Sequence, residues 1–346
     1  MELLYFAALF VSGFVCKIHA TTPPTSVTLN GGIQMPSIGL GTFLSKDDSL
    51  EKAVEEALEA GYRHFDTATL YENEHVIGKV LKKWISEGKV KRSDLFIVTK
   101  LPINGMRPDL VEVFLNKSLH DLQLDYIDLY LIHSPIGIKY KEGETATLNT
   151  NVTVDIDPTT DHIAIWKKME EQVDKGKART IGLSNFNISQ ITRIINNSKI
   201  KPSNLQVECN AYFQQDELVD FCKNNNIVVT AYSPIGAPGF KKFADAVGLK
   251  VKTVNLLEDP VVEKIAKKHN KSPAQVLLRQ HIQRGLVAIP KSTTPKRIRE
   301  NIDIFDFTLD DEDMAELKKL NKNARRVDFK VFKGIENHPE YPFNDA

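Results

Sequence analysis

The chain has 346 residues, enough for two average domains or one large α/β barrel. Its 45 basic and 45 acidic side chains cancel without any charge block, which argues against nucleic-acid or anionic-membrane association. With 42% hydrophobic and 26% charged residues and no low-complexity tract, the composition is that of a globular protein.

The first element is "LLYFAALFVSGFVC", an apolar run too short to cross a bilayer comfortably but suited to the apolar region of a signal peptide. Ala20 supplies a small residue before the polar "TTPPT". This pattern predicts a signal peptide over 1–20, a single mature domain over 21–346, and secretion, with a short membrane anchor or an N-terminal core strand as the other readings. Sequons starting at Asn116, Asn151, Asn187, Asn196 and Asn270 agree with a secreted glycoprotein. Cleavage would remove Cys16 and leave Cys209 and Cys222, one on an expected strand and one on the helix after it. Packed layers lie about 10 Å apart, beyond the reach of a disulfide, so two buried free thiols are expected.

"VTLNGGIQMP" reads as a hairpin around Asn30-Gly31. Short apolar strands then alternate with helices. The strands are "SIGLGTF", "YRHFDTA", "LFIVTK", "YIDLYLIH", "TIGLSN", "NLQVECN", "IVVTAYSP" and "GLVAIPKS". The intervening segments carry apolar residues three and four apart, and several stop at Gly. One long helical stretch runs from Pro260 to Arg284. Eight strands alternating with helices favour a closed parallel (β/α)8 TIM barrel with an N-terminal hairpin. Three connections exceed what the fold needs: Ser134 to Asp161, Gly236 to Asp259, and Asn321 to the end. They are expected to wall the C-terminal face of the barrel.

Asp66, Lys100 and His133 each close an apolar run, and Tyr71 follows Asp66 on the adjoining loop. Singly, each has an ordinary structural explanation. In a barrel all four converge on one face, where they make sense as a carbonyl reduction site. Hydride addition to C=O leaves an alkoxide that needs a positioned proton donor. A nearby ammonium should ease proton release from a phenol, and a carboxylate should keep that ammonium charged. A neutral imidazole can hold the carbonyl oxygen by a hydrogen bond.

"GYRHFDTATLYENEHVIG", "IVTKL", "YLIHSP", "IGLSNF" and "AIPKSTTPKRIREN" resemble the aldo-keto reductases from about Thr28 to the C-terminus. That resemblance implies Tyr71 as proton donor, with Asp66, Lys100 and His133 completing a tetrad. It implies NADPH as cofactor and no metal. Ser184, Asn185 and Gln206 would bind the nicotinamide carboxamide, and Tyr232 would stack on the ring. Gly41, Thr42, Phe43, Asp66, Ser233, Pro234, Ile235 and Gly236 would line the same site. Lys291, Ser292, Thr293, Arg297, Glu300 and Asn301 would hold the adenosine end. No G-x-G-x-x-G stretch offers a Rossmann alternative. Thr294 before Pro295 starts a helix whose free N–H groups suit a phosphate, and Arg beside Lys favours the 2′-phosphate.

Aldose reductase-like members carry tryptophans where this chain has Phe43 and Ser134, so these two residues, with Tyr71 and His133, are expected to shape an opened substrate slot. His133 stands where the double-bond-reducing branch has Glu, which implies ketone or aldehyde reduction. The most specific substrate the resemblance implies is a 3-keto ecdysteroid, 3-dehydroecdysone, reduced to its 3β-hydroxy form by a monomer. A general aldose or aldehyde-detoxifying reductase and a non-catalytic nucleotide- or ligand-binding member are the alternatives.

Overall fold

Ser26–Thr28 (β1) and Gln34–Pro36 (β2) pair antiparallel around a 3-10 turn, in which Gly31 takes a φ of 80° that its missing Cβ permits. This is the expected hairpin, seen in a computed structural model that describes residues 25–142, 153–240, 245 and 255–343. The expected signal peptide and the Asn151 sequon lie outside the described residues.

Eight parallel strands follow: β3 (Leu40–Gly41), β4 (His64–Asp66), β5 (Phe96–Leu101), β6 (Ile127–Ile132), β7 (Ala178–Ser184), β8 (Asn204–Glu208), β9 (Val228–Tyr232) and β10 (Val287–Ala288). Each bonds the next in chain order. The ring closes where Ile38 pairs with Ala288, through Gly39 N–H to Ala288 O at 2.9 Å and Ala288 N–H to Ser37 O at 2.9 Å. A Cβ on Gly41 would stand 2.8 Å from the Ile289 carbonyl oxygen, so this seam needs glycine. The two seam strands are shorter than their sequences promise. Pro290 has no N–H to donate, and Gly41 N–H reaches its carbonyl by a single bond of 3.1 Å.

Among the described residues the outer layer comprises α1 (Asp47–Glu59), α2 (Glu74–Ser86), α3 (Val111–Leu122), α4 (His162–Asp174), α5 (Ile188–Asn197), α6 (Asp216–Asn224), α7 (Pro260–His269), α8 (Pro273–Gln283), α9 (Pro295–Ile302) and α10 (Asp311–Lys318). The long helical stretch expected from Pro260 to Arg284 holds two helices. Asn270, at φ 52°, ends α7, and Ser272 starts α8 by exchanging bonds with Gln275 ahead of Pro273.

Period-two alternation sorts the strand side chains between two cores. Phe96, Val98, Leu129 and Leu131 fill the barrel interior, closed below by Leu29 and Met35 of the hairpin. Phe65, Ile97, Tyr130, Ile132, Leu183, Leu205 and Ala231 face the helices. The inward parity continues upward to Asp66, Lys100, His133, Ser184, Gln206 and Tyr232, so the same alternation that packs the barrel delivers polar groups to its C-terminal mouth. Cys209 and Cys222 are buried free thiols, as expected.

Candidate active site

The site is built from strand ends. Lys100 is fully buried and donates from Nζ to Asp66 Oδ1 at 2.6 Å and to Thr67 O at 2.8 Å. The same nitrogen stands 5.1 Å from the centre of the Tyr71 ring. Tyr71 closes the 3-10 turn Thr69–Tyr71, and its ring meets His133 edge-on at 5.6 Å and Phe43 at 5.0 Å. Gln206 Nε2 donates to Asp66 Oδ2 at 2.6 Å, which leaves that carboxylate bonded on both oxygens. The four residues singled out in the sequence therefore meet at one place.

Electrostatics at this place follow burial first. Desolvation lowers the Lys100 ammonium, and Asp66, with a smaller push from Glu74, raises it again. Burial drives His133 well below the ordinary histidine range, with Lys100 adding to the effect, so the imidazole is neutral. Tyr71 is pushed up by burial and then by the Asp66 and Tyr232 oxygens, which is the opposite of the easing expected from a neighbouring ammonium. Burial dominates, and Lys100 gives its bonds to Asp66 and Thr67, over the face of the phenol ring. A raised phenol still suits a donor, because it holds its proton until charge appears on the acceptor.

A cavity of about 1200 Å³ opens above these groups. Its lining includes Gly41, Thr42, Phe43, Asp66, Tyr71, His133, Ser184, Asn185, Gln206, Tyr232, Ser233, Pro234 and Ile235, all anticipated. Asn185 takes a φ of 64°, donates from Nδ2 to His133 O at 2.9 Å, and accepts from the Tyr232 hydroxyl at 2.9 Å. At the far end lie Lys291, Ser292, Thr293, Arg297, Glu300 and Asn301, also anticipated.

Three anticipated residues are not on this wall. Lys100 sits behind it. Gly236 turns its carbonyl to Arg326. Ser134 is buried and absent from the lining; its hydroxyl accepts the Ile136 N–H at 3.3 Å where the loop after β6 turns back on its own backbone. Conversely, Leu44, Leu70, Ile289 and Ser272–Ala274 line it without having been anticipated, while Asn255 and the run from Arg326 to Lys330 belong to long connections expected to wall it but were not singled out. The run has no periodicity to mark it. It is seated by Glu208 at the end of β8, whose Oε2 accepts the N–H groups of Arg326 and Val327 at 2.9 Å each.

The far end fits a phosphate-bearing dinucleotide. Lys291 and Arg297 have no acidic partner among the described residues, while neighbouring Lys296 approaches Glu300 at 3.7 Å. Both cations sit at the N-terminal end of α9, where Thr294 makes no side-chain cap and the helix N–H groups stay open. Two cations without an acidic partner among the described residues, beside an open helix start, are suited to an anion. Among the described residues no cluster of His, Cys, Asp and Glu could hold a metal, and no helix is long and apolar enough to cross a membrane.

The sequence profile of the Aldo/keto reductase family matches residues 37–322. Aldo-keto reductase family 1 member C4 of Macaca fascicularis is 45% identical over 325 residues, covering 92% of this chain and 97% of that protein. Dihydrodiol dehydrogenase 3 of Bos taurus is 43% identical over 322 residues, covering 92% and 97%. The solved aldose reductase of Schistosoma japonicum superposes with a TM-score of 0.83 at 40% identity, covering 94% of this chain and 99% of that one. The chain belongs to the aldo-keto reductase family. Members of this family are oxidoreductases that use a nicotinamide cofactor on carbonyl or alcohol groups.

Proposed function

We propose that this protein reduces a ketone or aldehyde to an alcohol with NADPH. The observation that carries the reading is the meeting of Tyr71, His133 and Asp66 on the floor of one large cavity, with Lys100 paired to Asp66 just behind it. The bound nicotinamide supplies a hydride. The chain supplies the rest: His133, as neutral imidazole, orients the carbonyl oxygen, and Tyr71 Oη releases its proton to that oxygen as charge develops. Asp66 and Gln206 hold the lysine side of the site in place. Arg297 and Lys291 would take the 2′-phosphate, Ser184, Asn185 and Gln206 the carboxamide, and Tyr232 the ring face.

Within this reading the narrower substrate we propose is a 3-keto ecdysteroid reduced to its 3β-hydroxy form. Support comes from the apolar side of the cavity, with Leu44, Ile235, Val327, Phe329, Val331 and Phe332 available to a long rigid body. The second reading is a general aldose or aldehyde reductase, favoured by relatives whose names span aldose, dihydrodiol and prostaglandin chemistry. A panel of carbonyl compounds on the purified protein with NADPH separates the two. Higher kcat/KM for 3-dehydroecdysone than for glucose or short aldehydes supports the hormone reading, and the reverse order leaves the generalist.

We also propose that the protein acts outside the cell as a monomer and carries N-linked sugar. Asn116, Asn196 and Asn270 are exposed, whereas Asn187 is part-buried and donates to Pro342 O. Expression in a secreting cell should release a chain starting at or near Thr21; recovery only in cytosol with Met1 intact would sink this reading.

A further inference from the structure

Behind the tetrad lies a buried polar cluster that the mechanism above does not use. Glu74, the first residue of α2, is almost wholly buried with no basic partner in bonding range among the described residues. Its Oε1 accepts from the Thr99 hydroxyl at 2.5 Å and its Oε2 from the Ser118 hydroxyl at 2.7 Å. Ser118 Oγ is in turn 2.9 Å from Thr69 Oγ1, and Thr69 Oγ1 lies 3.2 Å from the carbonyl oxygen of Lys100. Thr99 and Lys100 are consecutive on β5, Ser118 is on α3, and Thr69 opens the turn that Tyr71 closes.

Each hydroxyl has one proton, which fixes the direction of the chain. A carboxylate can only accept. Thr99 and Ser118 therefore both donate to Glu74, and Ser118 has only lone pairs left for Thr69. The Thr69 proton must point to Ser118 Oγ or to Lys100 O, and both acceptors hold the turn against α3 and β5. Two residues later the same turn ends in the phenol. Asn73 braces the other side, donating to the carbonyls of Thr42 and Ser45 at 3.0 and 2.9 Å.

We propose that Glu74 is a positioning residue for proton transfer: through Ser118 and Thr69 it orders buried hydroxyl protons that pin the Tyr71 turn to the strand carrying Lys100. The proposal rests on the reading of Tyr71 as the proton donor. A merely structural cluster would set how much protein folds. A positioning cluster also sets how fast each folded site moves its proton, since a small misplacement of a donor costs rate out of proportion to stability.

The test uses Thr69→Val and Ser118→Ala, which remove hydroxyls and keep shape, with active sites counted by NADPH titration and an aromatic aldehyde as substrate. Expected are a fall in kcat per titrated site of about tenfold, a larger solvent deuterium isotope effect on kcat, and an unchanged NADPH Kd. Thr69→Ser should recover most of the lost turnover. Glu74→Leu should resemble the hydroxyl deletions, while Glu74→Gln should recover much of the rate. Its amide can accept from Thr99 and donate to Ser118, which then donates to Thr69. Unchanged kcat per site and isotope effect in both hydroxyl deletions would overturn the proposal. If Tyr71→Phe, run alongside, keeps turnover, the underlying reading fails instead.

Discussion

Tyr71 is asked to be a weak acid in the resting protein and a donor at the moment of reaction. Burial and the Asp66 oxygens raise its phenol, so the proton stays on until an oxygen more basic than phenolate forms beside it. Tyr71→Phe keeps the ring against Phe43 and His133 and removes only that proton. Turnover should fall by at least about 100-fold, the usual span of general acid catalysis, with NADPH affinity unchanged by fluorescence titration. Near-wild-type turnover would take the phenol out of the mechanism. Asp66, Lys100, His133 and Tyr71 were legible in the sequence because each marks a strand end or its following turn. Ser134 was not, because its direction depends on how the loop after β6 turns, and no pattern of residue types records that.

Among the elements, α9 is short and exposed yet defines one end of the cavity. Its start offers N–H groups without a side-chain cap, and Arg297 stands on its first turn without an acidic partner among the described residues. A charge-assisted bond to a 2′-phosphate is worth about 1.5–3 kcal/mol. Arg297→Ala should weaken NADPH by that amount in a binding titration and leave NADH nearly unchanged. Equal loss for both would assign Arg297 to the shared pyrophosphate or to the fold. The opposite wall has a different origin. Arg326 and Val327 reach their places because a buried strand-end carboxylate, Glu208, gathers their N–H groups. Such a long-range backbone bond leaves no trace in local periodicity, which is why the tail was expected to help wall the site while its first cavity residues were missed. The seam strands failed in the other direction: their apolar runs promised longer ladders than Pro290 and the Gly41 contact allow.

Across the whole molecule, buried histidines make stability depend on pH. Burial lowers His64 to about 4 and His281 to about 3, and His133 lies well below its ordinary value. Unfolded, all three would titrate near 6.5. Between those values the unfolded chain binds more protons than the folded one, so stability is full above about 6.5 and is lost as pH falls. Each such histidine costs about 1.4 kcal/mol per pH unit over that window. Glu74 and Glu208, raised by burial, act with the opposite sign, but two acids face five histidines, since burial lowers His162 and His338 as well. Denaturant unfolding should therefore show lower stability at pH 5.5 than at 7.5, by about 1–3 kcal/mol. Equal stability at both would mean that these rings are protonated in the folded protein or that Glu74 and Glu208 offset them fully.

The hairpin below the barrel has a practical consequence for handling the protein. Because Leu29 and Met35 seal the end opposite the cavity, Thr25 emerges on the far side from the wall formed by Arg326–Phe332. A tether fused just ahead of Thr25 would orient every molecule on a bead or electrode with its mouth outward. The same tether joined after Phe343, whose ring stacks on Phe329 of that wall at 5.7 Å, would crowd the entrance. Immobilised preparations of the two kinds should differ in the fraction of sites reachable by a bulky ketone, measured as turnover per bound nucleotide.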